Sequence, residues 1–179
     1  MDTRSSLIAS LARVAGATLA ILLIPFTAMR FDTEVDWSLS DFIIMGILLF
    51  GFGSAFVLIS RVSEKPAYRW ATAVAVGTGF FLIWSNLAVG LIGSENNLIN
   101  SWYFLIPVYG LLGSIVVRFQ APKMAWVLLG AAGIQVVITI GALATGAQQL
   151  PYSSVTEIIG VNAFFTAFWL ASAALYRQA

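Results

Sequence analysis

The 179-residue chain contains neither cysteine nor histidine. The first absence removes disulfides, thiol redox chemistry and thiolate metal sites. The second removes imidazole ligands for zinc or haem and the commonest general base. Charge is scarce too: Asp, Glu, Lys and Arg make up 9% of the residues and sum to a formal net charge of +1. No patch of the kind a nucleic-acid binder needs is present. No Asp or Glu lies in the core of a long apolar run, so a carboxylate proton relay or an intramembrane aspartyl protease has no candidate residues. A Ser–His dyad is impossible, and no glycine-rich phosphate loop precedes a helix in the required context. The expectation is a chain with no catalytic set, no metal ligands and no cofactor. Facilitated passage of a neutral solute, or of an ion along backbone carbonyls, stays compatible with what is left.

What is present is apolar surface. Hydrophobic residues make up 60% of the chain, and its mean hydropathy is +0.92, outside the soluble globular range. Crossing a hydrocarbon layer about 30 Å thick takes roughly 20 helical residues. Six windows meet that length, at about 7–29, 41–62, 67–93, 102–119, 122–145 and 156–176. They predict an all-α fold, a polytopic membrane bundle of six transmembrane helices forming a single unit over 1–179. Arg13 interrupts the first window near its inner end, where its long side chain can snorkel to the headgroups. A secretory signal is the rival reading of this window. Pro25, Phe26 and Met29 make a poor small-residue cleavage site, so a retained span is expected.

Local chemistry marks the ends of the spans. Ser38 with Asp41, and Ser154 with Glu157, have the spacing of capping boxes. Pro66 and Pro122 suit the first turns of the third and fifth spans. Pro107 falls inside the fourth span, where it removes a backbone donor and predicts a kink. Arg4, Arg13, Arg61, Lys65, Arg69, Arg118, Lys123 and Arg177 fall on one side of a six-span arrangement and only Arg30 on the other. Positive residues resist translocation, so both termini are expected in the cytoplasm. Asp32, Glu34, Asp36, Asp41, Glu95 and Glu157 sort to the outer side, Asp2 and Glu64 to the inner. Trp37, Trp102, Tyr103 and Tyr152 near the outer interface, and Tyr68, Trp70, Trp126 and Tyr176 near the inner one, fit the same orientation.

Helices in lipid associate through close packing, so small residues three or four apart mark contact faces. Ala71, Ala75 and Gly79 form one ladder and Ala163, Ala167 and Ala171 another. Gly79, Ile83, Asn86, Gly90 and Gly93 extend a 4-3-4-3 stripe along the third span. The pairs Gly51/Gly53, Gly110/Gly113 and Gly130/Gly133 add points of close approach. The polar side chains within the spans are few: Asn86, Gln135 with Thr139, and Asn162 with Thr166. Each amide needs a partner in hydrocarbon, and interhelical hydrogen bonds of about 0.6 kcal/mol each would hold helices together. The functional alternative brings Asn86, Asn162, the Pro107 kink and the carboxylates Asp36, Asp41 and Glu95 into one outward-facing polar pocket, with oxygen ligands suited to a hard cation. Loop carboxylates of this kind are more often simply solvated.

The runs DTEVDWSLSDFIIMGILLFGFG (32–53) and IWSNLAVGLIGSENN (83–97) resemble a family of small uncharacterised bacterial inner-membrane proteins. In that family an acidic-Val-x-Trp loop leads through Asp-Phe into a Gly-rich span, and a Trp-x-Asn-Leu-Ala-Val-Gly motif precedes a short polar turn. The matching positions are Glu34, Val35, Trp37, Asp41, Phe42, Trp84, Asn86, Leu87, Ala88, Val89 and Gly90, and the similarity covers roughly the first two thirds of the chain. The resemblance implies a bacterial cytoplasmic membrane and adds no substrate.

Three classes of function follow. The first is a non-catalytic accessory, assembly or self-associating bundle, partnered by the bilayer and by a second copy or another membrane protein. The second is a carrier or channel for a small solute or cation. The third is an enzyme acting on lipid at the outer interface through Asp36, Asp41 or Glu95. The abundance of small-residue faces and the lack of buried charge favour the first.

Overall fold

The computed structural model describes residues 3–31 and 35–179. Asp2, Asp32 and Glu34, and the side chain of Arg4, lie outside the described part. The described residues form six α-helices: α1 (Thr3–Ala28), α2 (Leu39–Ser60), α3 (Pro66–Ala88), α4 (Leu105–Val116), α5 (Ala121–Ala144) and α6 (Val155–Arg177). Short 3-10 helices at Leu98–Phe104 and Ala147–Gln149 complete them, with no strand among the described residues. Among the described residues six segments are long and apolar enough to cross a membrane, the fourth being Leu98–Val116, which joins the first 3-10 helix to α4.

The chain divides into two compact units, Met1–Ile59 and Ser60–Ala179. In the first, α1 and α2 form an antiparallel hairpin. A Cβ on Gly53 would come within 2.7 Å of Val14, and one on Gly46 within 3.5 Å of Leu22. Two glycines one heptad apart thus let α1 lie close against α2. Edge-on contacts of Phe42 with Phe26 and Trp37 close the hairpin, and the Arg30 guanidinium sits 5.4 Å over the Phe26 ring. Asp41 accepts from the Ser38 amide at 2.8 Å and from its hydroxyl at 2.7 Å, completing the α2 cap. Only Thr18 is buried among the described side chains of this unit.

In the second unit α6 packs between α3 and α5, and α4 packs on α5. The buried positions share a seven-residue rhythm. On α6 they include Ile158, Asn162, Phe165, Trp169, Ser172 and Tyr176, with Ala173 beside them; on α3 they include Tyr68, Thr72, Gly79, Leu82 and Asn86. This 4-3 spacing keeps one stripe facing its neighbour along the helix. Polar side chains fasten the stripes: Ser172 Oγ donates to the Ala71 carbonyl at 2.7 Å, and Thr72 and Tyr176 share a hydrogen bond of 2.8 Å. Away from the stripes the exterior is apolar as well, with Val116 80%, Trp126 69% and Ile140 61% exposed. Such a surface is stable in hydrocarbon and aggregation-prone in water.

The helix ends differ from expectation in two places. α3 stops at Ala88 rather than near Gly93, because Gly90 and Gly93 take φ of 73° and 67°. Gly90 is the left-handed residue just past the helix, with its amide bonded to the Asn86 carbonyl at 3.2 Å. In the fourth span the backbone passes from 3-10 to α at Leu105, which puts Pro107 in the first turn of α4. There its missing N–H costs little.

Among the close-approach glycines, Gly53, Gly113 and Gly130 meet a neighbour, whereas Gly51, Gly110 and Gly133 face open space. Ala71 and Gly79 are buried and Ala75 half-buried, but Ala163, Ala167 and Ala171 are all exposed.

Charge is segregated along the second unit. Arg61, Lys65, Arg69, Arg118, Lys123 and Arg177 gather at the end where α3 and α5 begin and α4 and α6 finish, with Glu64. Glu95 and Glu157 stand at the opposite end, which carries no Lys or Arg.

Candidate functional site

Buried polar side chains near the acidic end of the second unit form two clusters. The first closes the loop after α3. Asn100, 3% exposed, accepts from the Leu91 and Ile92 amides at 3.1 and 3.0 Å through one side-chain oxygen. Its Nδ2 donates to the carbonyls of Ile92 and Ser94 at 3.1 and 2.8 Å. Asn86, at the C-terminal end of α3, donates its Nδ2 to the Asn100 carbonyl at 2.8 Å. A second tie runs from the Gly93 amide to Ser153 Oγ, 2.8 Å. Asn100 is thereby saturated and holds the loop as a template would. The buried Asn86 Oδ1 has no hydrogen-bond partner among the described residues.

The second cluster crosses three elements. Asn162 Oδ1 accepts from Tyr103 Oη at 2.9 Å and from Gln135 Nε2 at 2.7 Å. Asn162 Nδ2 donates back along its own helix to the Ile158 carbonyl at 2.8 Å. Trp169 Nε1 points at Gln135 Oε1 from 3.4 Å, and Thr139 donates to the Gln135 carbonyl at 2.8 Å. Each amide group in the cluster has a partner. Groups satisfied in this way crosslink helices and have little capacity left for a ligand.

The sequence-derived candidates therefore have distinct settings. Asp36 and Asp41 belong to the first unit; Asp36 is exposed and Asp41 caps α2. Glu95 is exposed and accepts from Asn96 at 3.0 Å. Asn162 meets Gln135 and Tyr103, while Asn86 meets Asn100. Glu157 is engaged by Ser154, whose hydroxyl donates to its carboxylate at 2.7 Å and accepts from its amide at 3.2 Å.

Two cavities of the second unit are apolar. One, about 330 Å³, opens between α3 and α6 at Gly77, Phe81 and Phe164. The other, about 280 Å³, lies beside Trp102, Val137 and Gly141. Neither is lined by Asn86, Glu95 or Asn162.

Asn100 and Tyr103 escaped sequence reading because their roles depend on the chain folding back. Asn100 sits in a polar turn where any amide looks solvated, and Tyr103 looks like an ordinary interface aromatic. The signal that existed was negative: Gln135 and Asn162 required partners from outside their own helices.

No protein-family model, curated protein or solved structure matches the chain.

Proposed function

We propose that the chain is a multi-pass protein of a bacterial cytoplasmic membrane, both termini inside, that acts without catalysis as a self-associating or assembly component. The observation that carries this reading is the outward face of α6. Ala163, Ala167 and Ala171 are exposed there, and exposed Gly160 and Ala174 continue the same strip. Close packing is the main driving force for helix association in lipid, and such a strip offers a flat surface on which another helix can approach. The saturated Asn162 cluster is consistent with it, since its polar groups serve the bundle itself.

The natural absence of cysteine makes the test direct. Single cysteines at Ala163, Ala167 or Ala171 should form interchain disulfides in native membranes, because bridging needs Cα atoms within about 7 Å. Ile140→Cys, exposed on α5, serves as the control and should not. Equal crosslinking at all four positions contradicts a specific interface.

A second reading, a carrier for a small solute or cation, is favoured by the unpaired Asn86 Oδ1, an acceptor left for a ligand's donor or for a cation. Reconstituted vesicles should then show a flux that Asn86→Ala abolishes. Identical uptake by wild type, variant and empty vesicles across a solute and cation panel removes that reading.

A further inference from the structure

The cavity between α3 and α6 differs from a packing fault in its shape, its lining and what stands at its mouth. Gly77 and Phe81 form one wall and Phe164, Phe165 and Phe168 the other, around about 330 Å³. The lining contains a single polar side chain, Thr78, and its hydroxyl is spent on the Val74 carbonyl at 2.6 Å. No polar solute gains a partner there. Gly77 is exposed, and a Cβ placed on it would meet nothing within 4 Å, so the groove opens sideways. An apolar, laterally open groove fits a flexible hydrocarbon chain.

Charge selects among hydrocarbon-bearing occupants. The α3 wall begins at Ala73 and Val74. One helical turn toward the basic end, at i−4 from each, stand Arg69 and Trp70, both exposed. Among the described residues of the second unit, the Arg69 side chain makes no hydrogen bond or ion pair, and Glu64 is the one acidic side chain at an end that carries six basic ones. The Arg69 guanidinium, one turn from the groove, therefore stands without a counter-charge among the described residues. A second copy docked on this groove in the same orientation would offer Arg69 little to pair with, since its own Glu95 and Glu157 stand at the opposite end. A phosphodiester supplies that counter-charge, and an arginine fork matches phosphate geometry. Exposed Trp70 sits where an interfacial aromatic packs against a headgroup.

We propose that this groove is a binding site for an anionic phospholipid, one acyl chain lying between Phe81 and Phe164 and the phosphate held by Arg69. The site rests on the membrane location proposed above and not on self-association. The full chain is reconstituted into nanodiscs holding equal amounts of phosphatidylglycerol and phosphatidylethanolamine, then released for native mass spectrometry. Incorporation itself tests the membrane location: a chain that stays out of the disc contradicts that location and this site together. For an incorporated chain, retained adducts should favour the anionic lipid by about fivefold, the factor one basic residue contributes near an anionic surface. Arg69→Gln should bring the ratio to parity. Gly77→Leu, which sets a side chain into the groove from a position whose Cβ meets nothing within 4 Å, should remove adducts of both lipids. An unbiased wild type, an Arg69→Gln variant that keeps the bias, or unchanged adducts on Gly77→Leu overturns the site. If a second copy occupies the groove instead, Gly77→Leu abolishes the dimer and leaves the adducts, and that outcome also overturns it.

Discussion

Gln135 Nε2 lies 2.7 Å from Asn162 Oδ1, joining the middle of α5 to α6. Because Asn162 Oδ1 also accepts from Tyr103 at 2.9 Å, one oxygen fixes three segments of the second unit at a single level. The pair is a crosslink between helices rather than a ligand site.

Asn162→Leu should destabilise the bundle by about 1–3 kcal/mol, because it leaves two buried donors without an acceptor. A cycle with Gln135→Leu should give a coupling of about 0.6–1.7 kcal/mol, the range for interhelical hydrogen bonds in a bilayer. Unfolding in mixed detergent micelles measures both. Strict additivity of the two substitutions would show that the crosslink contributes nothing.

Gly130 and Gly133 look equivalent as letters and should behave oppositely. A Cβ on Gly130 would run into the Tyr109 hydroxyl and come within 2.7 Å of the ring carbon that bears it, whereas Gly133 meets nothing within 4 Å. Gly130→Ala should cost about 1–3 kcal/mol through forced repacking of α4 on α5. Gly133→Ala should be neutral or stabilising by up to about 1 kcal/mol. Tyr109→Phe should recover part of the Gly130→Ala loss, and thermal unfolding of the four variants is the check.

Gly90→Ala should be among the more damaging single changes in the loop after α3. Its φ is 73°, and an added Cβ would stand 2.7 Å from Asn100 Nδ2 and 2.8 Å from two backbone atoms of Ser94 and Glu95. Left-handed backbone at a non-glycine residue costs about 1–3 kcal/mol, and the clash adds to it. Gly146, also left-handed but with its nearest neighbour 4.0 Å away, should tolerate alanine better. Comparing the two melting temperatures separates strain from crowding.

How much of this was legible beforehand follows from the range of each interaction. Span positions came from apolar length, and the caps of α2 and α6 from pairs three residues apart, both local signals. The letters extend α3 too far because Gly90 and Gly93 continue a 4-3 rhythm while their backbone has already left the helix. Ala163, Ala167 and Ala171 advertise a packing face, yet periodicity alone does not say whether the partner is inside the bundle. Within the second unit that job falls to larger residues such as Phe165 and Trp169. The partners of Asn86 and Asn162 are set by tertiary return of the chain and have no local signature.

Orientation is open to labelling in the cysteine-free background. A thiol replacing Ser94, exposed in the loop that carries Glu95, should react in intact cells with an impermeant maleimide. A thiol replacing Gln120, exposed between Arg118 and Lys123, should react only after permeabilisation. The reverse pattern inverts the topology.

Self-association through α6 is most directly measured by energy transfer between labelled copies diluted in lipid vesicles. Wild-type chains should show transfer that falls with dilution along a dimer or higher-order isotherm, and Ala167→Leu should weaken it at least about tenfold, a change worth about 1.4 kcal/mol. Transfer no greater than that of randomly mixed monomers, or an isotherm unmoved by Ala167→Leu, would contradict it.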